Sequence, residues 1–448
     1  MALTPGVWFW RLRGRIGSSD GVATSSVWEF VVAHPVSASG ASNTSWGSNG
    51  DVNGDGFSDL VAVIEDDSMQ RALALYTGGP AGFAPTPSVL PVPGAASVAI
   101  GGDIDGDGRA DVVVQGTGSA GARTLCVIRG GDHGLESTPL CAPPPEGIDD
   151  NFAVSFGGMG DADLDGYADV FASQYHLFGT SNYPMFALAW RGSPTGLLGT
   201  PTRFDATESG GALTVPTGAG DIDGDGFADL AANVGASNDR HVWVAWGGSG
   251  GLAPNRASVI PIPVGFDVMS APFESISDIT GDGRTDLSTL AMQMSTQCSG
   301  IVSLSASRGP SPMIAAPDCS DATRVGQAIG SINGDETSEI VYVDSTTRHM
   351  TVLEGSNLGV LSVLVDIPPP TTGVWNGRQL SPTGRISSDD TAGFAVAMTV
   401  GATFPEIDVF TAGTNPISAT PRARLGPPVG YHFLPGVSHL FAAALGAR

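Results

Sequence analysis

The chain has 448 residues, 41% of them apolar, and a formal net charge of −25 from 45 acidic and 20 basic side chains. Every basic residue is arginine, which excludes Schiff-base chemistry, a lysine general base and a Walker-type lysine. No basic stripe is available to meet the phosphates of a nucleic acid, and no run of about 18 apolar residues could span a membrane as a helix.

The N-terminal segment, residues 1–35, reads Pro5-Gly-Val-Trp8-Phe-Trp10-Arg-Leu-Arg13 and then Ser26-Val-Trp28-Glu-Phe30-Val-Val32, two expected strands around a loop. It lacks an apolar signal core, and its basic residues follow the aromatic ones, so a secreted destination requires an upstream segment. The pattern resembles the last hairpin of a fibronectin type III-like module, which implies that the chain is the tail of a longer protein. The alternative is a closing strand for the body that follows.

That body, residues 36–448, is organised by an aspartate-rich nonapeptide. It first appears as Asp51-Val-Asn53-Gly-Asp55-Gly-Phe57-Ser-Asp59 and starts again at Asp103, Asp161, Asp221 and Asp278. Two weaker copies keep the period: Ser331-Ile-Asn333-Gly-Asp335-Glu-Thr337-Ser-Glu339, and residues 385–393, where Asp389 remains. Short apolar runs follow, such as Leu60–Ile64, Val112–Val114 and Val170–Ala172, then second runs such as Ala72–Tyr76, Thr124–Arg129, Phe186–Trp190 and His241–Trp246. Glycine-rich turns such as Gly78-Gly79-Pro80 and Gly247-Gly248-Ser249 close those second runs. Runs this short, bounded by such turns, predict strands. Counting all seven starts, the expectation is an all-β, closed, seven-bladed β-propeller of four-stranded antiparallel blades, because closure removes open sheet edges.

The segment Phe152-Ala-Val-Ser-Phe-Gly-Gly-Met-Gly-Asp161-Ala-Asp-Leu-Asp-Gly-Tyr-Ala-Asp169-Val resembles an FG-GAP repeat, the blade unit of integrin α-subunit propellers and of bacterial relatives often called VCBS-type repeats. The resemblance covers roughly residues 36–448. Phe-Gly-Gly occurs only near Phe156, so the blades are divergent members.

The nonapeptide is itself a set of hard oxygen ligands. A tight loop turns side chains 1, 3, 5 and 9 and carbonyl 7 toward one centre, which suits Ca²⁺ better than Mg²⁺ or a soft metal. The expected ligands are Asp51, Asn53, Asp55, the Phe57 carbonyl and Asp59; Asp103, Asp105, Asp107, the Arg109 carbonyl and Asp111; and Asp161, Asp163, Asp165, the Tyr167 carbonyl and Asp169. Two further sets are Asp221, Asp223, Asp225, the Phe227 carbonyl and Asp229, and Asp278, Thr280, Asp282, the Arg284 carbonyl and Asp286. The last should bind more weakly, because a hydroxyl stands at its third place. An EF-hand would need glutamate at position 12, where Ala62, Val114, Ala172, Ala232 and Thr289 stand. The competing reading is acidic turns without metal, which carboxylate repulsion disfavours. The five loops hold 18 acidic residues, and five Ca²⁺ ions would bring the net charge to about −15.

Cys126/Cys141 and Cys298/Cys319 flank turns nearly symmetrically, so each pair is expected to face across a hairpin. Two disulfides would imply an oxidising compartment; four buried thiols are the alternative.

Gly247-Gly-Ser249-Gly-Gly251 matches the hydrolase G-x-S-x-G pattern, and Gly116-Thr-Gly118-Ser-Ala-Gly121 matches G-x-G-x-x-G. Both sit between expected strands rather than before a helix, so both read as turns. The seven histidines show no ligand spacing, and most of the eight tryptophans read as blade packing.

The family resemblance implies a calcium-binding, extracellular or cell-surface propeller for adhesion, which presents one face to a protein or glycan partner without catalysis. The alternative is a carbohydrate-binding or carbohydrate-active propeller. That would require carboxylates outside the loops, such as Asp66, Asp67, Asp149, Asp150 and Glu274, to converge with exposed aromatics.

Overall fold

A computed structural model describes residues 50–117, 123–142, 152–175, 185–205, 213–236, 239–260, 266–268, 275–280, 284–293, 296–302, 314–315, 327–330, 332, 337–344, 347–356, 362–384, 386–387, 390–401, 403–413, 417–434 and 441–442, with N-terminal strands at 6–10, 13–16, 19–24 and 28–32. The architecture is a β-propeller of four-stranded antiparallel blades, and the one helical turn among the described residues is the three-residue Pro254–Arg256.

Six blades, rather than the expected seven, are each built from one uninterrupted run of strands. They span Ser97–Gly102 to Leu140–Ala142, Phe152–Gly160 to Leu198–Asp205, Leu213–Gly220 to Ala257–Ile260, Phe266–Val268 to Ile314–Ala315, Gln327–Ala328 to Ser362–Ile367 and Val374–Pro382 to Ala423–Leu425. The remaining sheet is composite. Among the described residues, no strand that precedes Leu60–Asp66, Arg71–Tyr76 and Ser88–Pro91 in the chain pairs with them as an inner strand. The far end of the chain supplies it: Tyr431–Phe433 pairs with Ile64–Asp66, and Phe441–Ala442 pairs with Val61–Ala62. The Tyr76 hydroxyl adds a 2.6 Å bond to the Gly426 carbonyl. The closing strands are thus C-terminal. The N-terminal strands pair with each other, Gly6–Trp10 with Trp28–Val32 and Arg13–Ile16 with Ser19–Thr24, which makes four strands where two were expected. This pairing does not establish a fibronectin-like module.

The inner strands touch in a cycle. Ser97–Gly102 meets Phe152–Gly160, then Leu213–Gly220, Ser275–Ser277, Gln327–Ala328, Val374–Pro382 and Phe441–Ala442 follow, and the last returns to Ser97–Gly102. Glycine permits this approach: a β-carbon on Gly158 would lie 2.3 Å from the Gly101 carbonyl oxygen. Second strands covered on both faces are buried continuously, as in Leu60–Ile64 and Val112–Val114, and show only partial alternation. One apolar cluster joins Ala395, Ala397, Ile407 and Val409 to Leu60–Ile64 and on to Val98, Ile100 and Val112, and so seals the composite sheet on both sides. Trp190, Trp243, Trp246 and Trp375 are all buried in such seams, as their expected packing role requires.

Cys126 and Cys141 stand opposite each other on adjacent strands and form a disulfide. Cys319 lies outside the described residues, and the second pair with it. The first bond ties the outermost strand of its blade across 15 residues of chain. Replacing both cysteines with serine should cost about 3 kcal/mol, read as a lower midpoint in denaturant titration.

Candidate metal centres

Each nonapeptide enters the second strand of its blade, and its last aspartate fixes the loop. Asp59 accepts the Val52 amide at 2.9 Å with one oxygen and the amide of turn glycine Gly78 at 2.8 Å with the other. Asp111 does the same with Ile104 and Gly130, Asp169 with Ala162 and Gly192, and Asp229 with Ile222 and Gly247, all at 2.8–3.0 Å. Position 1 folds the loop around its own carboxylate. Asp51 accepts the Gly54, Asp55 and Gly56 amides and Asp221 repeats the arrangement, while Asp103 accepts the Asp107 and Gly108 amides and Asp161 those of Asp163, Asp165 and Gly166. Position 5 accepts the amide of position 7 in the first four loops.

Position 4 carries a requirement beyond relief of crowding. Gly54, Gly106 and Gly224 all have φ between 76° and 78°, and Leu164 is forced to 59° in the third loop. A left-handed leucine costs about 1–2 kcal/mol. Leu164→Gly should therefore raise stability by about 1 kcal/mol, less the added freedom of the unfolded chain, as measured by chemical denaturation.

The loops also bind one blade to the next. The position 1 carbonyls of Asp51, Asp103, Asp161, Asp221 and Asp278 accept the amides of Ala110, Ala168, Ala228, Thr285 and Ser338, which are the position 8 residues of the following loops, at 2.8–3.1 Å. The position 2 carbonyls of Val52, Ile104, Ala162 and Ile279 accept amides in the next hairpin turn, from Gly131, Ser193, Gly248 and Ser356. Ile386, in the most decayed loop, receives Gly79 of the composite sheet at 3.2 Å, so this chain of contacts crosses the closure.

Carboxylates converge where ligands are expected. Oxygens of Asp103, Asp105 and Asp111 lie within 4.8 Å of one another, as do those of Asp161, Asp163 and Asp169, and of Asp221, Asp223 and Asp225. Burial, backed by neighbouring carboxylates, pushes Asp103 up to about 8, Asp161 and Asp221 to about 7 and Asp105 to about 6. Asp59, Asp111, Asp169 and Asp229 are raised well above the usual range by the same burial. Acids gathered this closely fit a divalent cation, whose charge would offset their mutual repulsion.

The first loop has asparagine at position 3, and Asn53 Nδ2 reaches Asp55 Oδ2 at 3.2 Å. In the fifth, Asp278 and Asp286 are buried and Asp286 receives the Ile279 and Thr280 amides, while Asp282 lies outside the described residues. The weaker copy keeps the backbone role of the last position: Glu339 accepts the Ile332 amide at 2.6 Å.

Of the carboxylates considered for sugar chemistry, Asp66 caps the turn that leads to Gln70, and Asp67 is exposed beside it. Asp149, Asp150 and Glu274 lie outside the described residues. Gly247–Gly251 is a hairpin turn, as expected. The sequence reading missed the arginines around the loops. Arg109 reaches Asp107 and Asp132, Arg129 reaches Asp105, and Arg191 reaches Asp163 and Asp165. An arginine just before the turn glycine in two consecutive units was the available signal.

Residues 51–114, which run from the first loop through the second, match the model of the FG-GAP-like repeat. No curated protein matches the chain. Among solved structures, this chain is similar to the BP39L lectin from Burkholderia pseudomallei, with a TM-score of 0.53 and 14% identity over 87% of this chain and 98% of the lectin. At that identity the likeness shows the propeller fold alone. The Dos1 propeller (TM-score 0.41, 9% identity, 83% of this chain and 86% of that one) is more distant. So is the exotype rhamnogalacturonan lyase YesX (TM-score 0.37, 13% identity, 88% and 83%).

Proposed function

We propose that the chain is a calcium-stabilised, non-catalytic propeller of an extracellular or cell-surface protein, which acts in adhesion by presenting one face to a protein or glycan partner. The observation that carries this reading is one loop geometry repeated in consecutive blades, each with buried carboxylates whose mutual repulsion a bound cation would relieve. A bound Ca²⁺ would neutralise those groups. The chain's own part is to hold the oxygens of positions 1, 3, 5 and 9 in place through backbone amides, so that binding locks each loop and the seam it serves.

The Cys126–Cys141 disulfide supports an oxidising destination. The face opposite the loops is the one offered to a partner. Strand Leu60–Asp66 ends there in the exposed turn 67–70, and loops there are free of the metal's demands.

Calorimetric titration of the chelated chain with calcium should show about five sites, one weaker than the rest. Absence of binding at millimolar calcium would refute the metal reading. A glycan array and a screen of protein partners address the face. Cleavage of a polysaccharide without a stoichiometric partner would replace the adhesion reading by the carbohydrate-active alternative. The buried state of all four described propeller tryptophans speaks against sugar stacking on them.

A further inference from the structure

In the second and third loops a guanidinium reaches the position 3 carboxylate, from Arg129 to Asp105 and from Arg191 to Asp163. Arg191 is the last residue of strand Met185–Arg191, and Gly192 follows it in the turn. Its Nη2 touches Asp163 Oδ2 and stands 3.1 Å from Asp165 Oδ2, so one nitrogen faces the acids of positions 3 and 5. The side chain is about half exposed, at 47%, and approaches from the solvent side. Its stem runs beside Gly251 of the following blade, where an added β-carbon would lie 3.6 Å from Arg191 Cδ. Arg129 holds the same place before Gly130. It stands 3.5 Å from Asp105 Oδ2 and shares its charge with Glu136 at 2.7 Å. Thr77 and Trp246 occupy the matching places in the first and fourth units, without charge.

We propose that Arg191, and more weakly Arg129, are built-in counter-cations that compete with the metal, setting the third and second loops to a lower calcium affinity while keeping them assembled when calcium is scarce. This rests on the calcium reading above. A guanidinium within reach of two ligand carboxylates satisfies part of their charge before any ion arrives. An entering Ca²⁺ must take those oxygens from it and then tolerate a like charge nearby. The arginine therefore stabilises the metal-free loop and opposes the loaded one. Arg129 opposes it less, because Glu136 already claims part of its charge.

The test uses the whole chain. Arg191→Gln should tighten one calcium site by about tenfold in calorimetric titration, a figure kept modest because the group is half solvated. Arg129→Gln should tighten another site by less, and Arg191→Lys, which keeps the charge, should stay near the parent. In chelator, Arg191→Gln should melt about 2 °C below the parent, and the deficit should vanish in saturating calcium. If the parent binds calcium but the variant's site is unchanged or weaker, or if the melting deficit is equal with and without calcium, the arginine is only a surface ion pair and the proposal fails. If neither parent nor variant binds calcium, the calcium reading fails and the proposal falls with it.

Discussion

Removing divalent ions with a chelator is expected to lower the melting temperature by about 10 °C or more, and calcium should restore it. Each site filled at a hundredfold excess over its Kd adds about 2.7 kcal/mol to the folded state, and several sites act at once. The effect should exceed that of loosening isolated loops. The position 1 and position 2 carbonyls of one loop hold the next loop and the next turn, from Asp51 to Ala110 and Gly131 through to Ile386 and Gly79. A loop that opens under its own charge releases its partners across the seam, and in a ring every seam has two neighbours. Magnesium should restore less, because it demands octahedral geometry that these irregular oxygen sets do not impose. The measurement is a calorimetric or circular-dichroism melt in chelator, in calcium and in magnesium. An unchanged melt in excess chelator would remove the structural role assigned to the metal.

Much of this architecture was legible because it repeats. The strands after the loops begin where the last aspartate of each nonapeptide stands, as at Asp111, Asp169 and Asp229, since that residue is both a ligand candidate and the clamp of the strand entrance. The Cys126–Cys141 pairing was legible because symmetry about a turn fixes cross-strand register. The composite sheet was not legible. Tyr431–Phe433 and Phe441–Ala442 carry no motif, and their partners lie at residues 61–66, almost the whole chain away. That is why seven like units were expected where six are continuous. In the fourth continuous blade the inner edge is split into Phe266–Val268 and Ser275–Ser277, and periodicity alone does not find pieces of three residues. The arginine contacts are set by the height of a neighbouring turn. Arg129 lies 24 residues from Asp105, and no local rule pairs them. Leu164 shows the reverse: the motif tolerates a non-glycine at position 4, and only the backbone angle reveals the strain.

The pH dependence of stability should change sign with calcium. In the metal-free chain, Asp103 is raised to about 8 and Asp161 and Asp221 to about 7, first by burial and then by the carboxylates beside them. A carboxyl whose folded value lies above its unfolded value near 4 holds its proton more tightly when folded. The stability it lends is fully present below about pH 4 and is lost as the pH rises through its folded value, at about 1.4 kcal/mol per unit. Metal-free protein should therefore melt lower at pH 8 than at pH 5. Calcium demands the ionised form of the same groups, so binding releases protons and its affinity should rise over the same interval. Melting curves with and without calcium should lie close together at pH 5 and separate widely at pH 8. Proton release is read independently by calorimetry in two buffers of different ionisation enthalpy. A chelated chain more stable at pH 8 than at pH 5 would mean that these acids are already satisfied without a metal. The buried carboxylate clusters would then be polar staples of the backbone, a role that Asp59, Asp111, Asp169 and Asp229 already fill through their amide partners.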